Sequence, residues 1–182
     1  MKTIADLHIH SRFSMATSRE GTPENLDFWA RKKGISLIGT GDFTHPVWRE
    51  ELKERLVSEG NGLYRLRDEY VKEESRKFPG EGTHFVVSGE ISSIYKKNGK
   101  TRKVHNVILL PSLEAADAMA QRLEKIGNIH FDGRPILGLD SHDLLEMMLD
   151  VCPEGILIPA HIWTPHFSVL GAKSGFDSVE EC

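Results

Sequence analysis

The chain has 182 residues, an apolar fraction of 39% and a formal net charge of −4 at pH 7. This length suffices for one substantial core, and the weakly acidic balance excludes a global basic footprint for nucleic acid, so any basic contact surface has to be local. There is no charged and then apolar leader and no apolar run near roughly 18 residues, which predicts a cytoplasmic protein without membrane insertion. The two cysteines, Cys152 and Cys182, are too few for a disulfide framework.

The first chemical feature along the chain is the segment DLHIH at residues 6–10, which closes a short apolar run that begins at Thr3. We predict a buried, central strand over residues 3–9. Alternate side chains of a strand share one face, so His8 and His10 would point the same way, about 7 Å apart. Such a pair could hold one metal ion or two adjacent ions. The alternative is a pair of surface or hydrogen-bonded histidines.

Two more candidate ligands follow the second predicted strand. Thr22 and Pro23 predict the start of a helix that stops at Gly34, and residues 35–39 predict the strand. The segment after this strand carries Asp42 and His45, either of which could bind a metal. The alternative for Asp42 is a turn residue that caps the next helix.

The middle of the chain predicts two helices and a hairpin. We expect a helix near residues 47–58, a Gly-Asn-Gly break at 60–62, and a second, highly charged helix near 64–77. A third strand begins at Phe85 and ends at Glu90, and Asn98-Gly99 predicts the turn of a protruding antiparallel hairpin between residues 91–97 and 101–110.

Five positive charges gather at the tip of this predicted hairpin. They could form a solvated turn or contact a phosphate backbone. These residues are Lys96, Lys97, Lys100, Arg102 and Lys103.

The last third of the chain predicts a helix capped by Ser112, a short strand near residues 136–138, another helix, and a buried strand over 156–160 that delivers His161. Asp140 and His142 could ligate a metal, but their place at the head of a helix favours capping. Residues 178–182 predict the opening of a further helix.

Taken together, these motifs resemble the polymerase-and-histidinol-phosphatase (PHP) family of metallo-phosphoesterases. The stretches GTGDFTHP at 39–46, AHIWTP at 160–165 and KSGFDS at 173–178 are more narrowly similar to the endonuclease Q branch. The resemblance spans the whole chain. It implies an α/β fold, a distorted (β/α)7 PHP barrel, of which residues 1–182 would be an incomplete N-terminal portion.

The same resemblance implies a set of site residues and cofactors. Two or three divalent ions would bind at the strand ends, with zinc favoured and manganese or iron(II) as alternatives, and Glu90 would bridge two of them. Glu90 and His161 would be the catalytic residues. The implied metal ligands are His8, His10, Glu90, His105 and His161, with Asp42, His45 or both as additional ligands.

Two departures from the family pattern stand out. Many members carry an aspartate soon after the His-x-His pair, where this chain has FSMAT at residues 13–17, so that ligand is missing or is replaced by Asp42. The family's final Asp-x-His motif, which follows the equivalent of His161, is not present, and we expect it beyond residue 182.

Three functions fit this pattern. The first is metal-dependent cleavage of DNA on the 5′ side of deaminated bases or abasic sites, as in the endonuclease Q family, with the extruded base stacked on Trp163 or Phe167. The second is a phosphomonoesterase acting on a small molecule such as histidinol phosphate. The third is a degenerate, non-catalytic PHP scaffold.

Overall fold

The computed structural model describes residues 3–15, 17–80 and 82–182, and these residues form a mixed α/β fold around a curved sheet. Residue 16, which falls in the segment without the family aspartate, lies outside the described residues. The helices are α1 (Pro23–Lys33), α2 (Pro46–Arg55), α3 (Leu113–Glu124) and α4 (Ser141–Val151). The strands are β1 (Ala5–Asp6), β2 (Leu37–Gly39), β3 (Leu56–Gly60), β4 (Leu63–Leu66), β5 (His84–Lys97), β6 (Lys100–Leu110), β7 (Ile136–Leu137) and β8 (Ile156–Pro159).

The long strand β5 organises the sheet. It pairs in parallel with β2 and β7 and antiparallel with β4 and β6, while β1 extends the sheet beyond β2 and β8 extends it beyond β6. Along the path β1-β2-β5-β6-β8, a flat sheet would separate the two outer strands by roughly 19 Å. The imidazole rings of His8 and His161, which follow these outer strands, are only 6.0 Å apart. The sheet is therefore strongly curved, and its curvature brings distant strand ends together.

The main core lies between this sheet and the helices. Helix α3 shows the pattern clearly, because Ala116, Met119, Ala120 and Leu123 are all buried and follow the spacing of one helical face. Trp48 of α2 is fully buried as well, and its indole nitrogen donates a hydrogen bond to the carbonyl of Gly41, 2.9 Å away. This contact ties α2 to the loop that carries Asp42.

Several predicted boundaries are confirmed. Thr22 caps α1 by accepting a hydrogen bond from the backbone of Asn25, and the helix ends at Gly34 in the left-handed conformation. Ser112 caps α3 in the same manner. Asp140 is the cap of α4, since its side chain accepts a hydrogen bond from the backbone nitrogen of His142, as the capping interpretation predicted. The hairpin about Asn98 and Gly99 is also present, and both residues have positive φ angles.

Other predictions are wrong. The helix expected near 64–77 is replaced by strand β4 and two short 3-10 turns. The helix expected near 47–58 is present as α2, but it ends earlier, at Arg55. Asn61 and Gly62 have positive φ angles and form the turn of the β3–β4 hairpin, so the Asn-Gly signal that identified the later hairpin was also present here. The predicted terminal helix at 178–182 is a series of turns.

The first strand also differs from expectation. Its regular part is only Ala5–Asp6, and within the described residues it pairs with β2 alone. Ile4 beside it is 46% exposed, so β1 is an edge strand rather than a buried central one. The α/β class is confirmed, whereas the closed seven-stranded barrel stays a prediction. Among the described helices, none has the length and apolar character needed to cross a membrane.

Two leucines of α4 test this assignment of the core. Leu144 is fully buried, whereas Leu149 on the same helix is 43% exposed. We expect Leu144→Ala to lower the free energy of unfolding by about 2–5 kcal/mol because it leaves a cavity. Leu149→Ala should lower it by less than about 1 kcal/mol. Urea denaturation followed by circular dichroism measures both values, and equal losses would contradict the packing described for α4.

Candidate metal centre

A single carboxylate, Glu90, lies among four histidines. The third strand was expected to end at Glu90, but β5 continues to Lys97, so Glu90 and His105 lie within strands rather than at strand ends. Glu90 belongs to β5 and is 2% exposed. Its Oε1 atom lies 3.1 Å from Nε2 of His8, 3.0 Å from Nδ1 of His105 and 3.5 Å from Nε2 of His161. Its Oε2 atom lies 3.4 Å from Nε2 of His10. Four imidazoles from different parts of the chain therefore surround one buried carboxylate.

These five residues form two groups that share Glu90. His8 and His10 with Glu90 make the first group, and His105 and His161 with Glu90 make the second. In each group, one potential ligand atom per residue lies within 4.8 Å of the others. Oε1 of Glu90 faces residues of both groups, and Oε2 faces His10 of the first group. A carboxylate shared in this way is suited to bridge two adjacent cations.

The donor set and its spacing fit divalent cations. Two ligand atoms bound at about 2.0–2.2 Å to one tetrahedral ion are roughly 3.3–3.6 Å apart. Nδ1 of His105 and Nε2 of His161 are 3.3 Å apart, and both face Oε1 of Glu90. Within the described part of the chain, that buried oxygen has no donor with hydrogen-bond geometry. A cation between these atoms would satisfy it. Imidazole and carboxylate ligands suit zinc, iron and manganese.

Asp42 lies behind His10 rather than in either group. Its Oδ1 atom is 2.9 Å from Nδ1 of His10, and its Oδ2 atom accepts hydrogen bonds from the backbone nitrogen and hydroxyl of Ser11. A carboxylate that holds the outer nitrogen of a histidine fixes the ring orientation and leaves the other nitrogen free for a metal. Asp42 therefore orients His10, and its side chain does not cap α2, whose first turn begins at His45.

The electrostatics of the cluster follow from these contacts. The hydrogen bond to Asp42, followed by the contact with Glu90, raises the pKa of His10 to about 9. Burial alone would raise the pKa of Glu90, but the ring nitrogens of His10, His105 and His8 outweigh burial and hold that pKa well below its usual range. Burial lowers the pKa of His161, which favours the neutral imidazole that a metal ligand requires.

His45 is placed differently from the other predicted ligands. Its ring stacks on Phe13 at a centroid distance of 4.2 Å, and it belongs to neither group. Burial lowers the pKa of His45, and within the described residues its Nδ1 atom has no hydrogen-bond partner. The structure thus brings together His8, His10, Glu90, His105 and His161, with Asp42 and His45 beside them.

Two residues at the site have unusual backbone conformations. Asp42 has a φ angle of 51° and His161 has a φ angle of 32°. Left-handed conformations of non-glycine residues cost free energy and concentrate at functional sites. Gly41, next to Asp42, also has a positive φ angle, and a Cβ atom there would lie 2.6 Å from the carbonyl of Ile9. Only glycine lets this loop approach the segment that carries His8 and His10.

The sequence analysis missed one residue of the site, Arg134. Its Nη1 atom lies 3.4 Å from Oε2 of Glu90. Arg134 lies two residues before β7, whereas the predicted ligands were expected at the ends of strands. No local pattern in the sequence indicated Arg134, because its contact joins it to a residue 44 positions away in the chain.

The predicted basic hairpin is present, but its five cations differ in exposure. Lys96 and Lys100 are exposed. Lys97 contacts Asp140 and the carbonyl of Cys182. Lys103 lies over the ring of Phe167. Arg102 is buried, where its guanidinium stacks on Phe176 and donates to the carbonyl of Gly175, so its side chain is not on the surface.

The fold and the cluster define an α/β protein in which a curved sheet carries a histidine and carboxylate centre of the kind that can hold two adjacent cations. Solved structures of endonuclease Q share this fold. The lesion-specific endonuclease Q from Pyrococcus furiosus is 27% identical with a TM-score of 0.78, over 98% of this chain and 38% of that chain. Endonuclease Q bound to a 27-mer duplex with an abasic lesion at its active site is 27% identical with a TM-score of 0.75, over 97% of this chain and 38% of that chain.

One curated relative also matches. An uncharacterised protein from Methanocaldococcus jannaschii is 33% identical over 175 residues, which are 96% of this chain and 18% of that protein. The chain thus spans less than a fifth of the length of this relative and about two fifths of the solved structures. No protein-family model matches the chain.

The contact between Asp42 and His10 generates a prediction about metal binding. With a pKa of about 9, His10 carries a proton at pH 8. A cation bound at Nε2 has to displace that proton, so we expect metal binding at pH 8 to release close to one proton from His10, and the affinity to fall as the pH falls below 9. Isothermal titration calorimetry in buffers of different ionisation enthalpy measures the released protons.

Asp42→Asn keeps an oxygen that can accept from His10 but removes the charge. We expect it to lower the pKa of His10 and therefore to reduce the proton release at pH 8. Asp150→Asn, at an exposed carboxylate of α4, is the matched control and should leave the release unchanged. Equal proton release from the Asp42→Asn variant and the unaltered chain would contradict the role assigned to Asp42.

Proposed function

We propose that this chain is the N-terminal portion of a PHP-type, endonuclease Q-like enzyme that hydrolyses a phosphodiester bond of damaged DNA with the help of divalent cations. The observation that carries the proposal is the buried Glu90 carboxylate surrounded by His8, His10, His105 and His161. The similarity to endonuclease Q over nearly the whole chain supports it.

Each residue of the cluster has a defined part in this proposal. His8, His10, Glu90, His105 and His161 would hold the cations, and Asp42 would orient His10. When bound, the cations would lower the pKa of a coordinated water and neutralise charge on the phosphate oxygens. Glu90 and His161 would act at the reacting phosphate, since Glu90 is shared by both groups and His161 is one-third exposed to solvent.

Damaged DNA is the proposed substrate because one of the neighbours is a complex with a duplex that carries an abasic lesion. We extend the proposed substrates to duplexes with deaminated bases. Recognition of such a base requires a surface on which the extruded base can stack. The ring of Phe167 already packs against the ring of His105, at a centroid distance of 4.6 Å, so it is less suited to stack on a base. Trp163, two residues after His161, is 81% exposed and offers a free ring face for stacking.

The basic hairpin supports contact with the DNA backbone. A polar cavity of about 420 Å³ lies between the hairpin tip and the segment 170–177. Lys100 and Lys173 line it from opposite sides. A cleft with positive charge on both walls suits a phosphate backbone.

The cleavage reaction is tested directly with duplexes that contain uracil, hypoxanthine or an abasic site and with an undamaged duplex. We expect cuts 5′ of the lesions, with Glu90→Gln lowering the rate by about 100-fold or more because it removes the shared ligand. The same cleavage assay is repeated with this chain extended at its C-terminus by the further sequence of its relatives. Release of phosphate from histidinol phosphate without DNA cleavage would favour the phosphomonoesterase, and less than one bound cation per chain would favour the scaffold.

The hairpin is tested by charge reversal. Lys96→Glu combined with Lys100→Glu should weaken binding to duplex DNA and reduce the dependence of the affinity on salt, because two phosphate contacts are lost. Arg122→Glu combined with Lys125→Glu, at the exposed end of α3, changes the net charge by the same amount away from the hairpin and should have a smaller effect. Fluorescence anisotropy at several salt concentrations measures both. The same salt dependence in all three proteins would rule out the hairpin contact.

A further inference from the structure

Arg134 is an unusual neighbour for a cation-binding cluster. Its guanidinium reaches toward the centre, where Nη1 lies 3.4 Å from Oε2 of Glu90, the same oxygen that faces His10. Arginine cannot ligate a metal, since its guanidinium stays protonated and has no acceptor. Its place in the cluster therefore calls for a separate explanation.

The backbone on both sides of Arg134 is held firmly. The nitrogen of Gly133 donates to the carbonyl of Phe13 at 3.0 Å, and the carbonyl of Gly133 accepts from the hydroxyl of Thr44 at 3.0 Å. The carbonyl of Pro135 accepts from the nitrogen of Ser92 on β5 at 3.0 Å. Both flanking residues are thus tied to other parts of the fold, which fixes the direction in which the Arg134 side chain leaves the backbone.

The absence of a side chain at Gly133 also lets the loop lie close against the site. A Cβ atom at this position would lie 2.4 Å from Oδ2 of Asp42, the buried carboxylate that orients His10. The side chain of Asp132 accepts from the backbone nitrogen of Arg134 at 3.0 Å. Arg134 is consequently part of a rigid wall of the site and is placed in advance of any ligand.

A structural role as partner of Glu90 does not account for this arrangement. The carboxylate already faces four imidazoles, and at 3.4 Å the contact with Arg134 is longer than a strong charge-assisted hydrogen bond. In the described part of the chain, Glu90 supplies the sole side-chain or backbone acceptor for the guanidinium. The Arg134 side chain is 36% exposed, so its remaining N–H donors can reach a ligand from solvent.

The charge of Arg134 indicates the kind of ligand. Cations bound between Glu90 and the histidines would repel a guanidinium at this distance, because both are positive in a partly buried site. An anion between them would be attracted by both. The planar fork of arginine matches two oxygens of a phosphate group, which carries the negative charge that a neutral ester or amide lacks.

We propose that the Arg134 guanidinium binds two non-bridging oxygens of the substrate's phosphate group, so that an arginine beside the metal ligands selects phosphate esters by charge. This inference rests on the proposed function only in taking a phosphate as the reacting group. It adds a substrate-binding residue that lies before a strand rather than at its end.

The test measures phosphate binding rather than cleavage. Inorganic phosphate is titrated into the zinc-loaded chain, after removal of unbound metal, by isothermal titration calorimetry. Arg134→Ala should weaken phosphate binding at least about 10-fold, because a bidentate charge-assisted contact is lost. Arg134→Lys keeps the charge without the fork and should recover part of the affinity. Arg122→Ala, at an exposed arginine of α3, is the control and should bind phosphate as the unaltered chain does.

The zinc content of each variant is measured alongside. We expect it to be unchanged in Arg134→Ala and Arg134→Lys, since Arg134 is not a ligand. Unaltered phosphate affinity in both variants, loss of zinc in both, or absence of phosphate binding to the unaltered chain would overturn the proposal. Phosphate binding that depends on Arg134 would stand even if no DNA were cleaved, and DNA cleavage with phosphate binding independent of Arg134 would overturn this proposal alone.

Discussion

A buried carboxylate surrounded by positively polarised groups is the constraint on which the rest of the structure depends. Glu90 is nearly inaccessible to solvent, and burial of an ionised carboxylate is costly unless other groups compensate for its charge. Four imidazoles and one guanidinium do so here. Their convergence requires the curved sheet, because the histidines come from its two outer strands and from β6. The cluster therefore forms only if the sheet is curved.

The site is organised in layers around Glu90. The histidines face it directly, Asp42 fixes one of these histidines, and Ser11 fixes Asp42 in turn. The loop before β7 lies against Asp42, is tied to Phe13, Thr44 and β5, and directs Arg134 toward Glu90. A cluster whose side chains are already held in place would lose little conformational freedom on binding a ligand. Such preorganisation is what phosphoryl chemistry requires of a protein.

Much of the local structure could be predicted from the sequence because its causes are local. Helix caps at Thr22, Ser112 and Asp140 and the turn at Asn98 and Gly99 depend on neighbouring residues alone. The charged segment after Gly62 was predicted wrongly as a helix, because its extended conformation comes from pairing with β3 and β5, which no local pattern records. Arg102 was predicted on a surface that the packing of Phe176 then covered.

By itself, the sequence determined which chemistry is present and that it is carried on or just after strands: His8, His10 and His161 follow strands, whereas Glu90 and His105 lie within them. Only the tertiary structure decided which position each of these residues takes in the site. Asp42 became the support of a ligand, His45 a stacked neighbour of Phe13, and Arg134 a member of the site. The physical reason is that capping and turns act over a few residues, whereas the cluster depends on sheet curvature, which is set by pairings between residues far apart in the chain.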